Sequence, residues 1–223
     1  MHLEAVQGRI ARAAQRVGRD PSGITIVAVT KGHPLETVRA AVAGGLLDIG
    51  ENRVQEATEK QEAWPDAPVR WHLIGHLQRN KAKHAIGRFA LIHSVDSVRL
   101  ADELENVAAG QGRTQDVLVQ VNVAREPQKT GVHPDEAAAL AAHVAALPHL
   151  RLQGLMTMAP LTDDEAAIRE TFRGLRELRD RLTSHASRLT VLSMGMSSDF
   201  EIAIEEGATM LRLGTVLFGE RQP

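Results

Sequence analysis

Cysteine is absent from all 223 residues, so the chain has no disulfide, no thiolate metal ligand and no cysteine nucleophile. Tyrosine is absent too, and 2 Trp with 4 Phe offer little surface for stacking single-stranded bases. Neither sign of charge dominates: 26 Lys and Arg stand against 28 Asp and Glu, a formal net charge of -2. That balance selects neither a polyanion nor an anionic membrane, so no nucleic acid and no membrane are expected as partners. No window approaches the roughly 18 apolar residues of a membrane span. Met1-His2-Leu3-Glu4 carries an acid early and lacks the apolar run of a signal peptide. A cytoplasmic protein is expected.

Hydrophobic residues make up 43% and charged residues 24%, the balance of a folded globular chain with a real core. Leu3, Val6, Ile10, Ala13 and Val17 recur at spacings of three and four, which predicts an amphipathic helix ended by Gly18 and Pro21. Ile24 to Lys31 is a β-branched run too short and too apolar for a surface helix, and reads as a buried parallel strand. Further strands are predicted at 46–51, 69–75, 91–95, 116–122, 152–158, 190–196 and 210–217. Helical stretches separate them, around 34, 55–57, 100–107, 136–147, 168–182 and 200–206. Eight strands alternating with helices imply a parallel sheet. In a chain slightly shorter than the ~250 residues typical of the fold, they fit a (β/α)8 TIM-like barrel of the α/β class with an extra N-terminal helix. A doubly wound sheet is the alternative. No low-complexity linker divides the chain, so residues 1–223 read as one domain.

In such a barrel the reactive groups belong at the C-terminal ends of the strands. That rule selects Lys31, Asn52, His76, Ser94, Asn122, Ser197 and the segment Arg212-Leu213-Gly214-Thr215 within the eighth strand. A lysine that ends a strongly apolar strand is partly desolvated, which favours the neutral amine that attacks a carbonyl. The ordinary role for such a lysine is a stem along apolar surface with its ammonium in water. Ser197-Ser198-Asp199 precedes a helical run and reads first as an N-cap, yet free N–H groups at a helix start also bind phosphate. Gly214 would let backbone approach that anion and Thr215 would add a hydroxyl; a glycine in a strand can also simply mark a bulge. Arg212 is either an ordinary ion-pair partner or an electrostatic contact in the same pocket.

Two motifs carry less. His72 and His76 lack the glutamate of H-E-x-x-H, and on a strand they lie some ~13 Å apart, so no zinc site is read there. The basic run Gln78 to His84 reads as a solvated helix start rather than an anion funnel.

Several long stretches resemble one known family. They are Val27 to Lys31, Gly50-Glu51-Asn52 with Val54-Gln55-Glu56, Trp71 to Lys81, Ile92 to Asp96, Lys129-Thr130-Gly131, Gly154-Leu155-Met156, Leu192 to Asp199, Arg212 to Thr215 and Phe218-Gly219. In this order they are similar to the pyridoxal phosphate homeostasis proteins, the YggS/PROSC group of pyridoxal 5'-phosphate-binding proteins, over nearly the whole chain. The resemblance implies a barrel like the N-terminal domain of alanine racemase, holding pyridoxal 5'-phosphate as a Schiff base on Lys31. It places Ser197, Gly214 and Thr215 at the phosphate, Asn52 beside the cofactor, and Arg212 where racemases set an arginine facing the pyridine nitrogen. Arg53 departs from the family's frequent tyrosine, which bears on the pocket mouth.

The racemase two-base mechanism uses a tyrosine opposite the lysine, and this chain has 0 Tyr. Related racemases and decarboxylases carry a β-rich domain over the site, whereas this sequence stops at Pro223, so an open cofactor face is expected. An arginine at the ring nitrogen leaves it unprotonated and a poorer electron sink. The family resemblance therefore implies intracellular homeostasis and supply of pyridoxal 5'-phosphate without robust turnover, with apoenzymes that use the cofactor as partners. A weak amino-acid racemase or lyase using Lys31 as base stays open, as does a phosphosugar enzyme in which Lys31 forms an imine with substrate. Charged helix surfaces point to a monomer.

Overall fold

A computed structural model of the protein describes residues 1–183 and 189–220. Helix α1 (Leu3–Arg16) comes first and buries Val6, Ile10, Ala13 and Ala14, the face its spacing predicts. It ends one residue before Val17, which is therefore off that face and 42% exposed. There follow β1 (Thr25–Val29), α2 (Leu35–Ala43), β2 (Asp48–Glu51), α3 (Val54–Ala63), β3 (Arg70–Leu73), α4 (Ala82–Ala85), β4 (Leu91–Val95) and α5 (Val98–Gly110). The second half runs β5 (Gln115–Gln120), α6 (Pro134–Ala146), β6 (Leu150–Met156), α7 (Glu165–Thr183), β7 (Val191–Ser193), α8 (Phe200–Glu205), β8 (Met210–Leu213) and α9 (Thr215–Phe218).

The strands pair in sequence order and all in parallel, and β8 closes on β1 with Thr25 opposite Met210 and Ala28 opposite Leu213. The molecule is thus a (β/α)8 barrel, and the doubly wound alternative is excluded. Strands buried on both faces read as near-continuous apolar runs, which is why Thr25 to Val29 and Val117 to Val119 carry so little polarity. One core layer lies between strands and helices; a smaller one, of Val27, Leu91, Leu118, Met156 and Met210, fills the barrel itself.

The eighth strand is shorter than its sequence suggests. Pairing stops at Leu213, Gly214 caps α9, and Val216-Leu217-Phe218 continue as helix instead of strand. Helix α1 is seated on α8 by Arg9, which donates to both carboxylate oxygens of Glu201 at 3.1 and 2.9 Å and lies 4.5 Å over the Phe200 ring. Among the described residues no helix is long and apolar enough to cross a membrane.

Candidate functional site

At the C-terminal ends of the strands lies a cavity of about 610 Å³, the size of a small-molecule site. Lys31, Asn52, Ser197, Arg212, Gly214 and Thr215 all line it. They come from four different strand ends, which only the barrel closure brings together. Lys31 sits in the turn two residues after β1, half-buried. Two side chains of α3 grip that turn. Lys60 donates to the Thr30 carbonyl at 2.9 Å, and Glu56 accepts from the Gly32 N–H at 2.6 Å. Lys60 also pairs with Glu56 (2.9 Å) and with the wholly buried Glu51 (2.7 Å), and Glu51 accepts from the Thr30 hydroxyl at 2.6 Å. Burial pushes the Glu51 carboxyl up from its ordinary value, against the hydrogen bonds from Lys60 and Thr30.

Asn52 follows β2 and abuts the next strand end so closely that a Cβ on Gly75 would lie 2.3 Å from the Asn52 carbonyl oxygen. Only glycine fits there. Opposite, Gly195 takes a φ of +94° and turns the chain from β7 back over the cavity, bringing Ser197 to the start of α9. The Ser197 Oγ accepts from the N–H groups of Gly214 (3.4 Å) and Val216 (3.2 Å). So Ser197 does not cap α8; the residue at that position is Asp199, whose carboxylate accepts from the Met196 N–H at 2.5 Å. A hydroxyl and converging amides give this corner the donor groups that anions bind.

Arg212 is buried in the wall, its guanidinium donating to Ser193 Oγ at 2.7 Å and to the Thr157 carbonyl at 2.8 Å. Burial lowers its pKa to about 10, with Asp199 pulling the other way, so it remains a cation at neutral pH. Burial in turn pushes the Asp199 carboxyl up, against the Met196 N–H and the Arg212 charge.

His76 also lines the cavity, and its imidazole lies 3.4 Å from Asp96. Ser94 and Asn122 do not line it. Ser94 lies inside β4, fully buried, and Asn122 ties its own loop by donating to the Glu126 carbonyl at 2.8 Å. His72 is inside the barrel, away from His76, at 2.9 Å from Asp48 and 3.0 Å from His93. Sequence reasoning missed His33, Gln120 and Thr130 on the wall. Gln120 donates to the Thr130 carbonyl and hydroxyl at 3.0 and 2.9 Å, a pairing across ten residues that no local pattern announces.

The alanine racemase N-terminal domain family matches residues 1–222. A protein of Aquifex aeolicus named pyridoxal phosphate homeostasis protein is 45% identical over 221 residues, 99% of this chain and 97% of that one. The chain belongs to the pyridoxal phosphate homeostasis protein family. PipY of Synechococcus elongatus, solved with PLP bound, superposes with a TM-score of 0.84 at 40% identity, over 95% of this chain and all of PipY. Alanine racemase of Clostridium difficile shares the fold alone, with a TM-score of 0.79 at 15% identity over 96% of this chain and 59% of the racemase.

Proposed function

We propose that this chain binds pyridoxal 5'-phosphate in the cavity and serves its homeostasis and supply in the cytoplasm, as one barrel unit spanning residues 1–223. The observation that carries this reading is the convergence of a lysine amine, an anion cradle and a buried arginine on one small-molecule cavity, in a chain 40% identical to a protein solved with PLP bound. The residues fit the group. Ser197 with the backbone at Gly214 and Thr215 would hold its phosphate, Arg212 would face its ring nitrogen, Asn52 would flank it, and Lys31 would be its covalent anchor. When bound, the group supplies an aldehyde that condenses reversibly with a primary amine.

The chain's own residues then act on Lys31 and on the phosphate. Lys60 and Glu56 fix the backbone on either side of Lys31, which limits how far its amine swings from the cavity. Ser197 can turn its hydroxyl from the α9 amides to an arriving oxyanion, so those amides are solvated by protein before binding and available after it. Arg212, with Ser193 and Thr157 on two of its donors, presents a cation that no carboxylate among the described residues neutralises by a hydrogen bond.

Supply rather than turnover is favoured by the 0 Tyr of the chain, which removes the second base of a two-base racemase. Apoenzymes that take up the cofactor are the implied partners, and a monomer is the proposed state, in line with the charged helix surfaces. The test is an absorbance titration with pyridoxal 5'-phosphate, followed by incubation of the loaded protein with D- and L-amino acids in deuterated water. Saturation at one equivalent per chain, with α-proton exchange no faster than with free cofactor, is expected. Faster exchange would establish the racemase or lyase reading instead.

A further inference from the structure

Beneath the cavity the barrel interior is not wholly apolar. Between Val27, Leu91, Leu118, Met156 and Met210 runs a connected line of polar side chains from four strands, leading from the outer base of the barrel to Arg212. At the base, Arg70 donates from Nε and Nη2 to the two Asp48 oxygens at 2.7 and 2.5 Å. Asp48 Oδ1 lies 2.9 Å from His72 Nε2, and His72 Nδ1 lies 3.0 Å from His93 Nε2. His93 Nδ1 lies 2.9 Å from Ser193 Oγ, which accepts from Arg212 Nη1 at 2.7 Å. His72, His93, Ser193 and Arg212 are all buried.

The two ends set the direction of every bond between them. Arginine only donates, and a carboxylate only accepts. Arg212 donates to Ser193 Oγ, and among the described contacts the Ser193 proton has His93 Nδ1 as its acceptor, so the hydroxyl donates to His93. His93 then carries its proton on Nε2 and donates to His72 Nδ1, and His72 carries its own on Nε2 and donates to Asp48. The reverse order would leave the Ser193 proton without an acceptor among the described contacts. Burial, with the Arg212 charge close by, holds His93 well below its ordinary pKa, in agreement with a neutral ring. Bonds that all point the same way polarise one another. Asp199 acts on Arg212 through space, but its carboxylate is engaged with the Met196 N–H.

We propose that Ser193, His93, His72 and Asp48 are positioning residues for Arg212: a one-directional hydrogen-bonded spine through the barrel that gives the buried guanidinium a remote counter-ion and fixes its orientation in the cavity wall. The consequence for ligand binding rests on the reading of the cavity as a pyridoxal 5'-phosphate site; the spine itself does not.

Two measurements test it. The first is nitrogen-15 NMR of histidine-labelled protein without ligand near neutral pH. His72 and His93 are expected as neutral rings protonated on Nε2, and an Nδ1 proton or an imidazolium at either ring overturns the proposal. The second compares Ser193→Ala, Ser193→Cys and Ser193→Thr by absorbance titration with pyridoxal 5'-phosphate, with far-ultraviolet circular dichroism confirming the fold of each. Loss of the hydroxyl should weaken binding about tenfold in the Ala and Cys variants, while Thr, which keeps it, stays within about twofold of the parent. A role in packing alone predicts the opposite order, with Cys like the parent and the bulkier Thr worst, and that order overturns the proposal. If the parent protein fails to bind pyridoxal 5'-phosphate, the functional reading falls, and the histidine protonation states still decide the spine.

Discussion

The turn that carries Lys31 is held from α3. The flanking Thr30 and Gly32 are tied to that helix through Lys60 and Glu56, so the turn keeps its shape without the Lys31 side chain. Lys31→Ala is therefore expected to retain the parent circular dichroism spectrum and melting temperature within about 2 °C, a surface-like effect. By contrast Lys60→Met removes a buried ammonium from between two carboxylates and leaves the wholly buried Glu51 carboxyl without its cation; a loss of about 3 kcal/mol in urea unfolding is expected. Asp48 carries a pH signature. Burial alone would raise its pKa, but hydrogen bonds from His72 and Arg70 outweigh that and lower it to about 2. A carboxylate depressed in the fold stabilises fully above its unfolded pKa of ~3.9, and that stabilisation is lost as pH falls through about 2. The half-exposed Arg70 is screened by solvent, so on the order of 1–2 kcal/mol is at stake. Urea unfolding of the parent and Asp48→Asn should differ most near pH 6 and converge towards pH 2; a gap independent of pH would contradict this origin.

At the scale of elements, the ends of strands and the seats of helices decide where the site lies. The β2 and β3 ends approach so closely at Gly75 that Gly75→Ala must push Asn52 away from the cavity wall. Weaker pyridoxal 5'-phosphate binding by about tenfold is expected, together with about 1–3 kcal/mol of lost stability, read by absorbance titration and urea unfolding. Helices α7 and α8 are clamped by charge: Glu206, nearly buried, lies within 3.1 to 3.3 Å of Arg169, Arg173 and Arg176, and Glu205 joins Arg169 to Arg16 of α1. The period of α1 and the apolar runs of β1 and β4 were legible in the sequence because burial leaves its pattern in each. The end of β8 was not, since Val216-Leu217-Phe218 is a short apolar run whose periodicity suits strand and helix alike, and only the closure of β8 on β1 shows where pairing stops.

For the molecule as a whole, strand count and alternation anticipate the closed barrel, and the rule that reactive groups collect at strand C-termini anticipates Lys31, Asn52, Ser197 and the Arg212 to Thr215 segment on one cavity. The same rule selected Ser94 and Asn122, because it counts residues from an approximate strand end, and a shift of one residue turns a side chain from the cavity to the helix layer. Asp48, His72, His93 and Ser193 left a fainter trace: they are polar residues in otherwise apolar strands, and their connection exists only once the register of the barrel places them in contact. At this scale a buried cation and an amide corner surround one amine, and the proposal that pyridoxal 5'-phosphate is held on Lys31 rests on that convergence. Borohydride reduction of the protein saturated with pyridoxal 5'-phosphate, with peptide mass mapping of the product, tests this most directly. One adduct per chain on Lys31, absent in Lys31→Ala, is the expected result; adducts scattered over surface lysines, or none, would contradict it.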